Sequence, residues 1–251
     1  MTRLSNKNIV ITGASSGIGR QVAIEASKNG AGVILIGRNR ERLEETFKLL
    51  DNSGRHFVCP FDVHELTGIE SLTDEIVAKA GAIWGFVHSA GTEATIPFRN
   101  MKPEYYNEMF TVNVIAGFEF ARFISKKKNM HPAGGSFVFL SSVMGIVGKE
   151  GKVGYCASKA ALLSGVKAMA LELSSKKIRC NTILPGIVDT EMTKRMFETL
   201  PESSVSDIIS LHPLGLGTPD DVAQLTVFLL SDLSRWITGS DIVIDGGYSA
   251  R

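Results

Sequence analysis

Tyr155 and Lys159, in the segment Tyr155-Cys156-Ala157-Ser158-Lys159, are the pair of side chains in this sequence best suited to proton transfer. Positions four apart share a helix face. A free phenol titrates near pH 10, too high for easy exchange at neutral pH, and a cation beside it favours the phenolate and lowers that value. The spacing alone also describes many surface pairs, so its weight comes from its neighbours. Ser141 and Ser142 end an apolar run over 136–141. The C-terminal ends of strands are where ligands sit in open α/β sheets.

A second group of residues could hold a dinucleotide. Gly13, Ser15, Ser16, Gly17, Ile18 and Gly19 lie between an apolar run and a helical pattern. Glycines at such a turn let the backbone approach a pyrophosphate, and the helix start beyond supplies free N–H donors and the positive end of a dipole. The spacing G-x3-G-x-G differs from the commonest dinucleotide fingerprint, and a plain tight turn is the competing reading. The second apolar run ends Gly37-Arg38-Asn39-Arg40 with no carboxylate for a ribose 2′-OH. Arg38, with a hydroxyl from Ser15, suits a 2′-phosphate instead, which points to NADP(H) over NAD(H). Asp62 and Val63 follow the third run, where a carboxylate could meet an adenine amino group or cap a helix.

Seven apolar runs must position these residues, at 8–12, 32–36, 56–60, 83–88, 136–141, 179–184 and 241–244. Helical patterns separate them at 18–28, 41–50, 66–80, 104–126, 155–174 and 219–230. Strands apolar on both faces and separated by helices predict one doubly wound parallel α/β sheet, covered on both sides, in a single domain over 1–251. The irregular stretch 185–219 contains two helical pieces, and 187–212 reads as a substrate lid within that domain.

Taken together, the motifs resemble those of the short-chain dehydrogenase/reductase family over essentially the whole chain, with bacterial 3-oxoacyl-[acyl-carrier-protein] reductases the nearest in general look. The matching residues are Thr12-Gly13 through Gly19, Asn113, Ser142, Tyr155 with Lys159, Pro185-Gly186 and Asp245-Gly246-Gly247. The resemblance implies a Rossmann-type fold and a carbonyl–secondary alcohol interconversion. It implies Tyr155 as general acid/base, Ser142 on the reacting oxygen, and Lys159 on the nicotinamide ribose while lowering the Tyr155 pKa. It implies Asn113 holding a helix open for a relay water. It assigns Ala90, Gly91, Pro185, Gly186, Val188 and Thr190 to the cofactor, Thr190 at the carboxamide. One departure stands out: His88-Ser89 occupy the place of the family's Asn-Asn, and a hydrogen-bonded structural histidine is expected there.

The pocket walls should come from Thr92–Phe98, Val143–Lys152 and the loop after Thr190, offering Ile96, Met144, Ile146, Val147, Met192, Met196 and Phe197, although core packing explains several equally well, and nothing there is a dedicated clamp for a phosphate or a carboxylate. Lysines 126–128 and 176–177 could meet an acidic acyl carrier protein or simply sit near helix C-termini. Sugars, steroids and small ketones remain alternative substrates, and a catalytically silent cofactor-binding sensor or scaffold the alternative function. No metal is expected. A net charge of +1 offers no bulk attraction for nucleic acid or membrane, and three cysteines without metal spacing suit reduced thiols in a cytoplasm. The last strand should form an apolar sheet edge, with Phe110, Phe118, Leu163, Val166 and Met169 as surplus apolar surface that calls for association, and the resemblance implies a homotetramer, with a dimer as the fallback.

Overall fold

Seven short segments rich in Val, Ile and Phe pair side by side in one sheet. A computed structural model describes residues 3–52 and 54–250. The strands are β1 (Asn8–Thr12), β2 (Gly32–Gly37), β3 (Phe57–Pro60), β4 (Ile83–His88), β5 (Gly135–Leu140), β6 (Ile178–Pro185) and β7 (Asp241–Ile244). Their order is β3-β2-β1-β4-β5-β6-β7, and every pairing is parallel. The order reverses between β1 and β4, so the C-terminal ends of these two strands flank a crevice, the usual ligand site in such sheets. β2, β4 and β5 are buried at every position, which is why their sequences show no polar alternation.

Helices cover both faces: α1 (Gly17–Lys28), α2 (Arg40–Phe47), α3 (Ile69–Ala80), α4 (Pro103–Phe110), α5 (Ala116–Ile124), α6 (Val153–Leu173), α7 (Glu191–Glu198), α8 (Glu202–Ser210) and α9 (Pro219–Leu230). Two apolar cores result. One packs α1 and α9 on the face carrying Ile9, Ile11 and Leu35; the other packs α3, α5 and α6 on Val10, Phe86 and Phe137. α9 starts with Pro219 after Thr218, whose hydroxyl accepts from Asp221 N while the Asp221 carboxylate accepts from Thr218 N, a complete capping box.

The helix expected over 104–126 is interrupted. Residues Thr111–Ile115 form a π turn between α4 and α5. Its wider hydrogen-bonded ring contains Asn113, whose side chain is fully buried. Such turns occur mostly at functional sites.

Candidate active site

The loop after β1 and the start of α1 form the floor of the crevice. Gly17 has φ +51°, a left-handed value that strains any side-chain-bearing residue, and a methyl there would only touch Thr190. Gly19 is constrained differently: a methyl would collide with the Gly13 carbonyl oxygen. Gly13 itself packs against Ala90. Ser16 takes the N-cap position of α1, yet its side chain makes no cap hydrogen bond, and the first turn contains no acid. The leading N–H groups of α1 are therefore open to a ligand, and Ile18 lines the cleft in front of them. The arrangement fits a dinucleotide pyrophosphate.

Ser15 lies beside the end of β2, its Oγ 3.5 Å from where a Gly37 Cβ would be. Arg38 follows and is exposed. Arg20 donates to Ser15 O at 2.7 Å, which adds a second cation beside the same loop. Asp62 accepts from His64 N at 3.1 Å and from His64 Nδ1 at 2.8 Å, closing a turn rather than capping the next helix. Burial pushes the Asp62 pKa up, but the His64 hydrogen bonds and the positive charges of His64 and Arg38 outweigh it and the net shift is downward. Val63 is buried beneath.

The opposite wall holds the candidate acid–base residues. A cleft of about 200 Å³ is lined by Ser142, Tyr155, Lys159, Gly91, Pro185, Gly186, Val188 and Thr190, among others. Ser142 and Tyr155 both line this cleft where β5 ends and α6 begins, and the Ser142 hydroxyl accepts from Met144 N at 3.2 Å. Ser141 also lines the cleft, and its hydroxyl donates to Lys159 O at 2.8 Å. Lys159 Nζ donates to Leu140 O at 2.8 Å and lies 5.7 Å from the centre of the Tyr155 ring. Asn113 is locked by three bonds: Thr92 N donates to its Oδ1 at 2.8 Å, and its Nδ2 donates to Thr92 O at 3.0 Å and to Ser158 Oγ at 2.9 Å. Thr190 N-caps α7 by accepting from Thr193 N at 3.3 Å, so any carboxamide contact must share that hydroxyl.

The electrostatics differ from the sequence-based expectation. Burial raises the Tyr155 pKa above its ordinary value, the Glu93 carboxylate raises it further, and only the Ser142 hydrogen bond opposes them. Lys159 was expected to lower it, but its ammonium is held on Leu140 O, and burial lowers Lys159 itself to about 8. The phenol is thus protonated at neutral pH.

Of the apolar residues expected in the pocket, Met144, Met192 and Met196 line it, whereas Ile96, Ile146, Val147 and Phe197 do not. The cleft also holds a charged pair, Lys152 and Glu93, whose positions fall within the expected walls but whose pairing was not foreseen. Lys152 Nζ donates to both carboxylate oxygens of Glu93 at 2.7 Å, with the Lys152 side chain only 6% exposed. The sequence offered one signal, a lysine three residues before Tyr155 and so on the same side of the helix start. Its carboxylate partner lies 59 residues away and could not be read from spacing.

The comparisons with known proteins agree with this geometry. A family model described as enoyl-(acyl carrier protein) reductase matches residues 13–249. A 3-oxoacyl-[acyl-carrier-protein] reductase of Thermotoga maritima is 35% identical, with 98% of each chain covered. A human (3R)-3-hydroxyacyl-CoA dehydrogenase is 31% identical over 98% of this chain and 96% of its own. The crystal structure of a short-chain type dehydrogenase/reductase from Mycobacterium marinum superposes with a TM-score of 0.89 at 30% identity, covering 100% of this chain and 98% of that one. By its sheet order, its cleft and this full-length similarity, the chain belongs to the short-chain dehydrogenase/reductase family of oxidoreductases.

Proposed function

We propose that the chain is an NADP(H)-dependent enzyme interconverting a carbonyl and a secondary alcohol, with 3-oxoacyl thioesters as the first substrates to test. The observation that carries this reading is the convergence of Ser142, Tyr155 and Lys159 in a cleft that Ile18, at the uncapped start of α1, also lines. Gly13, Ser15, Ser16, Gly17, Ile18 and Gly19 would hold the pyrophosphate, Arg38 and Ser15 a 2′-phosphate, Asp62 and Val63 the adenine, and Ala90, Gly91, Pro185, Gly186, Val188 and Thr190 the nicotinamide half. When bound, the dinucleotide supplies or removes the hydride at the reacting carbon. Ser142 hydrogen-bonds the reacting oxygen and Tyr155 gives it a proton. Lys159, cationic below about pH 8, binds the ribose hydroxyls. Asn113 positions the loop at Thr92 and keeps the π turn open for a water on the path that reprotonates Tyr155. A silent cofactor-binding sensor would need neither the phenol nor its serine partner.

Residues 187–212 serve as a substrate lid, since Ile187, Met192, Met196, Ile208 and Leu211 contribute to the cleft. Docking of an acidic carrier protein is supported only by the names of relatives. Lys126 and Lys128 already pair with Glu70 and Asp74, which favours the plainer role for these lysines. The free thiols of Cys59, Cys156 and Cys180 suit a cytoplasmic setting, and no helix among the described residues is long and apolar enough to cross a membrane.

NADPH oxidation over a panel of ketones and 3-oxoacyl thioesters tests the activity. NADPH should bind at least about tenfold more tightly than NADH, as one charge-assisted contact to the 2′-phosphate provides. An Arg38→Ala protein with unchanged preference removes the basis for NADP(H).

A further inference from the structure

The Lys152–Glu93 pair is a chemically unusual wall for a pocket whose other lining, Lys149, Tyr155 and Lys159 aside, is apolar or small and uncharged. Burying an ion pair costs desolvation on both partners, and a well-packed apolar pair of the same volume would often be as stable. Holding two loops together does not require these charges. Ile96 N donates to Gly151 O at 2.8 Å and already ties the loop after β4 to the loop before α6. Both ends of the pair are preset. Glu93 follows Thr92, whose N and O are each bonded to Asn113. Lys152 is the residue before α6, with its N on Lys149 O at 3.1 Å and its O accepting from Cys156 N at 2.7 Å.

An ammonium has three donors. Two of the Lys152 donors go to Glu93, and both residues line the same cleft as Tyr155 and Ser142. Lys152 stands three residues before Tyr155 at the start of α6 and faces the same cleft, so its third donor is available to a second oxygen of a substrate held at Tyr155. The pair is neutral as a whole. A substrate carboxylate there would face Glu93, and an ammonium would face Lys152. A neutral oxygen uses the third donor without either penalty, whereas a purely aliphatic chain would bury that donor unpaired.

Resting on the carbonyl–alcohol reading above, we propose that Lys152, oriented by Glu93, is a specificity-determining residue for substrates with a second neutral oxygen, a carbonyl or hydroxyl, close to the reacting carbonyl. The substrate class is 3-oxoacyl derivatives and hydroxyketones, in preference to simple ketones.

The test compares 4-hydroxybutan-2-one and acetoacetamide with pentan-2-one, which matches them in length. The wild type should favour the two oxygenated ketones by at least about tenfold in kcat/KM, the worth of one hydrogen bond to a charged group. The double variant Lys152→Met with Glu93→Gln, which leaves no unpaired buried charge, should bring that ratio to within about threefold. The same ratio read as dissociation constants on Tyr155→Phe with NADPH separates recognition from chemistry. A binding preference without wild-type turnover of any carbonyl overturns the proposed activity and leaves this recognition standing. Turnover with a ratio near one in the wild type, or a ratio that the double variant does not change because all three substrates lose equally, overturns the specificity role and leaves a structural staple.

Discussion

His88 closes β4 where the resemblance leads one to expect an asparagine, and its environment fixes its protonation. The ring is buried, with Nε2 3.0 Å from Val112 O and Nδ1 2.9 Å from Thr12 Oγ1. A carbonyl can only accept, so Nε2 carries the proton and Nδ1 accepts from the threonine hydroxyl, which in turn accepts from Ala90 N at 3.3 Å. The histidine thereby links β1, β4 and the π turn. Burial, with the nearby Lys159 charge adding to it, lowers its pKa from 6.5 to about 4. The unfolded chain takes up that proton near 6.5, so between the two values it binds more protons than the folded chain. Stability is retained above about pH 6.5 and falls as pH drops toward 4. From pH 7 to pH 5 this group should account for about 2 kcal/mol. Urea unfolding at both pH values, wild type against His88→Asn, should show the variant losing less by that amount; equal losses would mean the ring is not buried as a neutral group. At the proposed catalytic residues, Tyr155→Phe should lower turnover by at least about a hundredfold, the usual scale of general acid catalysis, with NADPH affinity nearly intact. Lys159→Ala should lose both. Full activity in purified Tyr155→Phe would end the assignment.

The elements divide by how far each depends on distant partners. The strands were legible because a parallel sheet covered on both faces needs uninterrupted apolar runs, and Gly32–Gly37 and Ile83–His88 supply them directly. The order of Gly13, Gly17 and Gly19 was legible for a similar local reason. The π turn was implied only by the resemblance at Asn113, not by the spacing, since one wide turn leaves the apolar spacing of 104–126 nearly unchanged and the bonds of Asn113 to Thr92 and Ser158 come from distant residues. The Tyr155 environment was misjudged because spacing reveals a nearby lysine but neither the depth of burial nor the Glu93 carboxylate. The α1 turn allows a graded test. Gly17→Ala retains room but must adopt φ +51°, worth about 1 kcal/mol. Gly19→Ala must displace the Gly13 carbonyl and should cost about 3 kcal/mol or more. Denaturant midpoints for the two variants should fall in that order; the reverse order would show that φ, not the close approach, limits the turn.

At the scale of the whole molecule the issue is what covers the β7 edge. β7 pairs only with β6, leaving its other side without a strand among the described residues. The helix residues expected to supply surplus apolar surface mostly do not: Leu163 and Val166 are buried, and Phe118 packs edge-on against Phe139. The exposed apolar groups lie elsewhere. Asp241 and Val243 share one face of β7, and Asp241 pairs with Lys167 of α6, one turn before Leu171. Val243 is 43% and Leu171 79% exposed, and Trp236, in the loop leading into β7, is 91% exposed. Exposed apolar surface beside an open strand edge is an association site. A two-fold axis there would pair β7 with its copy and cover Leu171 and Val243 at once. We therefore expect a homotetramer that uses this edge for one of its interfaces, with a two-fold dimer through the same edge as the smaller alternative. Light scattering at micromolar concentration should give a multiple of the 27.1 kDa chain mass, and Val243→Lys, which places a charge at the centre of the edge, should halve it. A wild-type monomer, or an assembly that Val243→Lys leaves intact, would show that this edge is not where the subunits meet.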